Sequence, residues 1–215
     1  MPSRQELETN TGMKLWHGLA GMALVAFAAY SAYWMVSASS VETGVKQWIE
    51  RQKQAGYDIA YDGMETSGYP LRLTVTVDKP IISQGTGEAN WSWSSDRIEA
   101  TAGTFGLDEP VITAIGPHRL LVSRGILTGD WRVTADRLEL RPSLGVGGLT
   151  QLDAVVDQGR AVEQTDGDTF SAKAIAISLR PQDTDQDDKR VLHLTASLKG
   201  VVLPDRAAGP LGPAL

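Results

Sequence analysis

From Leu15 to Val41 the chain carries no Asp, Glu, Lys or Arg, and this uncharged run limits what the sequence can become more than any other feature. Its centre, Leu19–Val36, is dominated by Ala, Leu, Val, Met, Phe and aromatic residues. About 20 helical residues cover the hydrocarbon core of a bilayer, so the run is long enough to cross once. Trp16 stands at one end and Tyr30, Tyr33 and Trp34 toward the other; at 1.5 Å per residue Trp16 and Trp34 are roughly 27 Å apart. Amphipathic rings at that separation match the two interfacial belts, which makes these four residues the expected membrane-interface anchors. A cleavable signal peptide is the competing reading, with Ser37-Ala38-Ser39 as small residues at the cleavage position, but its apolar region usually runs only about 7–15 residues. We therefore expect residues 1–14 as a cytoplasmic tail, 15–38 as a single transmembrane helix and 39–215 as a β-rich periplasmic domain. Arg4 and Lys14 precede the span and Lys46, Arg51 and Lys53 follow it. Orientation thus rests on the shortness of the leading tail, since long domains translocate largely regardless of charge.

The 215 residues leave room for one domain beyond the span. Net charge is −6 with a pI near 5.1, and residues 1–41 hold Arg4 and Lys14 against Glu6 and Glu8, so the acidic excess lies downstream. A nucleic-acid partner is excluded on that balance, because phosphates demand clustered Lys and Arg. Cysteine is absent, which removes disulfides, thiolate nucleophiles and cysteine-ligated metal sites together.

Ser39-Ser40-Val41-Glu42 has the spacing of a capping box. Val41, Val45, Trp48 and Ile49 then recur on one helical face until Gly56 offers a left-handed stop, predicting one short amphipathic helix that continues from the span. After Gly56 the period becomes two. Tyr57, Ile59 and Tyr61 alternate with polar neighbours, and Leu71, Leu73, Val75 and Val77 alternate with Arg72, Thr74, Thr76 and Asp78. Further strands are predicted around Ala89–Trp93, Val111–Ile115, Arg119–Ser123, Trp131–Leu140, Phe170–Leu179 and Val191–Leu198, with Gly116-Pro117, Gly145–Gly148 and Pro181–Asp188 as breaks. With no second long helical pattern, the fold class is mainly β: an antiparallel curled sheet, barrel-like, sandwich or groove. A faint repeat runs through it. Trp91, Trp131 and Phe170 recur at a nearly constant interval, Ile98, Leu138 and Ile177 follow each at the same offset, and Asp96-Arg97-Ile98-Glu99 returns as Asp136-Arg137-Leu138-Glu139. Arg141-Pro142 likewise returns as Arg180-Pro181. Meander spacing of strands and a duplicated β unit both predict such a pattern. Trp131, Val133 and Ala135 share one parity and Leu138 and Leu140 the other, so a bulge or bend is expected near Asp136.

Catalytic chemistry is hard to assemble from this chain, and we expect no enzyme and no cofactor. His17 lies at the membrane boundary; His118 and His193 stand in strand-like stretches without a partner at metal-ligand spacing. Asp183, Asp185 and Asp187 imitate the opening of a calcium loop, but Asp188 sits where Gly is needed and Leu194 where Glu is needed. Gly145-Val146-Gly147-Gly148 lacks the full phosphate-binding pattern and a following helix, so it reads as a turn.

The stretch Gly63-Met64-Glu65-Thr66-Ser67-Gly68-Tyr69-Pro70-Leu71-Arg72 resembles a bacterial family catalogued as domain of unknown function 2125. The Tyr-Trp exit from the span, the Trp48 helix, Gly56-Tyr57 and the Asp-Arg-Ile/Leu-Glu segments carry the same resemblance over most of residues 30–204. The turn Gly68, Tyr69, Pro70, Leu71, Arg72 is its most specific element. The resemblance implies a Gram-negative inner-membrane protein with a periplasmic domain, offers no catalytic residues, and implies a longer sheet, so a missing last portion is expected here. More distantly, the order of span, short helix, aromatic-Pro turn and alternating strand is similar to the start of AsmA-type envelope proteins, whose long sheets curl into apolar grooves for lipid.

Two functions follow as expectations. In the first, the alternating face of Leu71, Leu73, Val75 and Val77 is an apolar ligand surface of a lipid-binding or envelope-maintenance protein; an ordinary packed interior would show the same alternation. In the second, the chain is a tethered module for an envelope protein partner, through Trp48 or an unpaired sheet edge.

Overall fold

The computed structural model describes residues 4–84, 90–124, 128–145, 148–183 and 190–203, with side chains from residue 19 onward and none described over 182–191. The chain divides into two compact units, Met1–Val41 and Glu42–Leu215. One helix, α1 (Arg4–Gln54), forms the first unit and opens the second. The short helix expected after the span is the end of α1. The capping box does not cap. Ser39 Oγ and Ser40 Oγ both donate to the carbonyl of Val36, at 3.0 and 2.7 Å. Hydroxyls that bond back one turn leave the helical ladder intact, and no free N–H remains there for them to serve. Termination falls at Gly56, whose φ of 93° only glycine adopts without steric cost. Ala55 N–H still bonds Arg51 O, and Gly56 N–H bonds Lys53 O at 3.0 Å.

Among the described residues, all remaining regular structure is one antiparallel sheet of 13 strands, strongly curled into a half-barrel. In chain order these are β1 (Tyr57–Ala60), β2 (Gly63–Ser67), β3 (Arg72–Asp78), β4 (Ile81–Gln84), β5 (Trp91–Ser94), β6 (Arg97–Gly103) and β7 (Gly106–Ile115). There follow β8 (His118–Val122), β9 (Gly129–Thr134), β10 (Arg137–Gly145), β11 (Gly148–Glu163), β12 (Thr169–Asp183) and β13 (Arg190–Lys199). The sandwich alternative is thereby set aside.

The many short strands hide a simple path. β1 and β2, β3 and β4, β5 and β6, β7 and β8, β9 and β10 are each one long strand bent at a two-residue joint. The joints are Tyr61-Asp62, Lys79-Pro80, Ser95-Asp96, Gly116-Pro117 and Ala135-Asp136, and together they form a crease across the sheet. Taken as bent pairs, the strands run up and down in sequence order, each pairing with the one before and the one after. Pro80 and Pro117 have no N–H to give a ladder, and Lys79 (φ 46°) and Gln158 (φ 50°) occupy the left-handed region, so the pleat cannot continue through this line. Main-chain bonds stitch it instead: Asp62 N–H to Asp78 O at 3.0 Å, Lys79 N–H to Asp96 O at 2.8 Å and Asp136 N–H to Asp157 O at 3.0 Å.

The bend predicted near Asp136 is one joint of this crease. Asp96 and Asp136 hold equivalent places on alternate bent strands, and Asp62-Gly63-Met64-Glu65 is a third such segment, which the sequence reading did not include. The repeat is thus one two-strand hairpin per period, with Trp91, Trp131 and Phe170 near the starts of strands that run the same way. Two predicted limits move. Leu71 belongs to a turn, since β3 begins at Arg72, and the break placed at Pro181 lies inside β12, where Pro181 pairs with Leu192. Gly145 pairs with Gly148 across a hairpin, as the turn reading expects; Val146 and Gly147 lie outside the described residues.

Candidate functional site

The register lines up side chains strand by strand. On the half of the sheet beyond the crease, Val75 pairs with Ala100, Ala100 with Ile112 and Ile112 with Leu140. The row continues through Ala154, Ile177 and Ala196. Parallel to it run Val77, Ile98 and Ala114, and, further along, Val156, Ile175 and Leu198. Directly paired residues share a face, so one side of this half-sheet is apolar from β2 to β13. Cover over that face is uneven. Leu73 is 2% exposed and Val75 3%, the middle strands are half-buried, and on β13 Leu194 is 62% exposed.

The opposite face is charged. Arg97 bonds Asp78 Oδ1 at 2.9 Å, and Glu139 accepts from Arg137 at 2.7 Å and Arg141 at 2.9 Å. The Arg137 hydrogen bond, with that of Arg141, pulls the Glu139 carboxyl down to about 2 against its desolvation. Thr74 and Thr101 join hydroxyls at 3.0 Å between β3 and β6.

Of the four residues expected to line a ligand face, Leu73 and Val75 are buried and Val77 half-buried on the apolar side. Leu71 stands apart at 75% exposed, because the Gly68–Arg72 turn lifts it off the strand. That turn holds a cis Tyr69-Pro70 bond and Gly68 at φ 102°, where an added Cβ would lie 2.8 Å from Arg72 O. Thr104, itself buried, fixes it from the neighbouring hairpin: Oγ1 donates to Pro70 O at 3.1 Å and N–H to Leu71 O at 3.3 Å. Tyr69, Leu71 and Phe105 are left exposed on these two turns.

A second concavity opens at the crease, about 520 Å³, with Ser95, Asp96, His118, Arg119, Asp130, Arg132 and Gln164 among its walls. His118 is buried and stacks on Trp93 at 5.9 Å. Its Nδ1 lies 3.0 Å from Ser95 Oγ, which also reaches the carbonyl of Ile115 at 3.0 Å. Ser95 Oγ also reaches Arg97 O at 3.3 Å, and which of Oγ and Nδ1 donates to the other follows the tautomer of the neutral ring. Burial lowers the His118 pKa, against a smaller opposing pull from Asp96, which favours that neutral ring. Arg119 and Asp130 pair on the cleft wall at 2.7 Å. His193 lies with Ser178, Arg180 and Thr195 in another cleft of about 480 Å³.

At the far end of the crease half, Glu163 is a buried carboxylate that organises the β11–β12 turn. It accepts from the N–H groups of Thr165 at 2.6 Å, Asp166 at 2.5 Å and Asp130 at 3.2 Å. Those main-chain donors, Asp166 first, hold its carboxyl below the ordinary range. Sequence pattern gave no cue to this role, since a lone Glu at a strand end is unremarkable until the turn closes on it.

On α1, Leu19–Gln54 is long and apolar enough to cross a membrane once, by length and composition; a signal sequence meets the same test. Tyr30 and Tyr33 set their rings 6.4 Å apart there. The side chains of Trp16 and His17 lie outside the described residues, as do Asp185, Asp187 and Asp188. Further along α1, Ile49 is buried and Trp48 is 46% exposed, so the amphipathic stripe does not pack as one.

No curated protein matches this chain, and no solved structure does. A family match does exist, over residues 34–215, covering the last part of the apolar helix, the Gly68–Arg72 turn and the whole curled sheet. The chain belongs to that family, DUF2125, described as an uncharacterized protein conserved in bacteria.

Proposed function

We propose that this chain is a single-pass inner-membrane protein whose sheet stands in the periplasm and holds lipid or another apolar ligand along its apolar face, without catalysing a reaction. The observation that carries this reading is the gradient of cover on one continuous face, from Leu73 at 2% exposed to Leu194 at 62%. A curled single layer with one apolar side turns that side inward, where it must either pack solid or hold something apolar. Side chains left open along β13 favour the second outcome. The long apolar helix Leu19–Gln54, which carries no charge from Leu19 to Val41, supports the anchor.

The test is photocrosslinking of the full chain in native membranes. A benzophenone residue at Leu140 or Leu179, on the apolar side, should yield adducts of lipid mass in intact-protein spectra. The same group at Glu139 or Ser178, one residue along and on the opposite face, should not. Equal labelling at all four positions, or none at any, rejects the groove.

A second reading is a tethered interaction module, favoured by exposed Trp48 and by Tyr69, Leu71 and Phe105 at the hairpin tips. In-cell crosslinking from Trp48 or Phe105 tests it; adducts limited to lipid would exclude a protein partner there.

A further inference from the structure

We propose that this protein meets lipid at a second place: the turns at residues 68–71 and 103–107 seat Tyr69, Leu71 and Phe105 in the headgroup layer of the membrane that α1 crosses. The claim rests on the anchor reading above and is independent of what the apolar face of the sheet holds. Hairpin tips that face water are ordinarily built from polar and turn-forming residues. These two carry no charged residue, and their large side chains lie open, Phe105 at 80%, Leu71 at 75% and Tyr69 at 43% exposed. The register puts both on one rim of the sheet, since Arg72 pairs with Gly103 and Gly103 with Gly106. The hairpin where Gly145 pairs with Gly148 lies toward the same rim, and Leu144 and Leu149 beside it are exposed as well. At the opposite end, the β11–β12 turn reads Gln164-Thr165-Asp166-Gly167-Asp168, with no apolar side chain.

The path of the chain turns the apolar rim back toward the lipid. α1 enters the second unit at Glu42, directly after the uncharged run ends. The pKa of Lys46 is raised by its hydrogen bond to Glu42 first and, more weakly, by Tyr61, so the joint of the first bent strand lies beside α1, about two turns before its end. β1 therefore runs back along the helix that precedes it, and β2 carries on from the joint to the rim. Tyr61 to Ser67 reaches up to about 20 Å at 3.3 Å per residue, whereas Lys46 to Glu42 rises only about 6 Å. The tips thus extend past the level of Glu42, where the charged part of α1 begins.

A bilayer interface accepts what these tips offer. It asks for no shape complementarity, so side chains on separate hairpins can each bury apolar surface there, whereas a protein partner needs one continuous face. Tyr69, an aromatic ring with a polar end, suits that layer. Thr104, buried between the turns, bonds Pro70 O at 3.1 Å and Leu71 O at 3.3 Å, so the two tips are held together before lipid is met.

The chain has no cysteine, so single thiols can carry an environment-sensitive nitrobenzoxadiazole label on the full chain in nanodiscs of phosphatidylethanolamine and phosphatidylglycerol. At Leu71→Cys and at Phe105→Cys, lipid bearing a nitroxide near its headgroup should quench the label. Iodide in the buffer should quench it several-fold less than at Thr165→Cys on the polar turn. Both tip side chains are exposed, so these substitutions leave the packed interior untouched. Ala28→Cys, inside the apolar run, reports the anchor. Lipid quenching at Ala28→Cys with both tips as open to iodide as Thr165→Cys overturns the docking and leaves the anchor standing. Iodide access at Ala28→Cys as well overturns both.

Discussion

Thr104 shows how much one side chain decides locally. It is 2% exposed and closes the neighbouring turn by a hydroxyl bond to Pro70 O and an N–H bond to Leu71 O. Thr104→Val keeps the shape and removes the hydroxyl, and with it the part-buried bond to Pro70 O. A loss of about 1–2 kcal/mol is expected, read as a lower urea midpoint with an unchanged slope. Glu163 works in the same way through charge. Its carboxyl titrates below the ordinary 4.5, so its stabilisation is complete above that value and is lost as pH falls through the folded pKa. Glu163→Gln should therefore melt below wild type at pH 7, with the gap closing as the pH is taken below 4.5; a gap that persists in acid would assign the effect to shape and not to charge. The Gly68–Arg72 turn was legible as a motif. Its clamp was not, because Thr104 reaches it only after an intervening hairpin has folded back.

Among the elements the crease is the feature that organises the rest. Strand parity around Asp136 announced one joint, since apolar residues changed sides within a single stretch. Tyr61-Asp62 and Lys79-Pro80 gave weaker signals, a short strand and a proline, and only alignment across neighbours makes them one line. Gln158 carries the crease into β11 at φ 50°. Left-handed backbone costs a residue with a Cβ roughly 1–2 kcal/mol, and a β-branched residue more. Gln158→Val should thus lower the thermal midpoint well below that of Gln158→Gly; equal melting of the two would mean that the crease does not require this conformation. The charged face beside it has its own acid signature. With Glu139 held at about 2 by Arg137 and Arg141, its contribution is present above pH 4.5 and disappears as the pH approaches 2, so Glu139→Gln should melt below wild type at pH 7 and flatten the acid limb, the gap closing toward pH 2.

For the molecule as a whole, a long apolar helix precedes a single curled sheet. If α1 is retained, the chain should stay in membrane pellets after carbonate washing with an intact mass of 23.1 kDa. Cleavage near Ala38 would release a lighter, soluble product, and intact mass separates the two outcomes. The uncharged run and the switch from helical to two-residue period were enough to determine a long apolar helix followed by an antiparallel sheet, because both depend only on neighbours along the chain. Tertiary structure alone decided that the strands form a single creased half-barrel, that Leu73 and Val75 are covered while Leu194 lies open, and that His118 meets Ser95. Those outcomes depend on register between strands, and alternation within one strand is the same whichever partner it meets and however far the sheet curls.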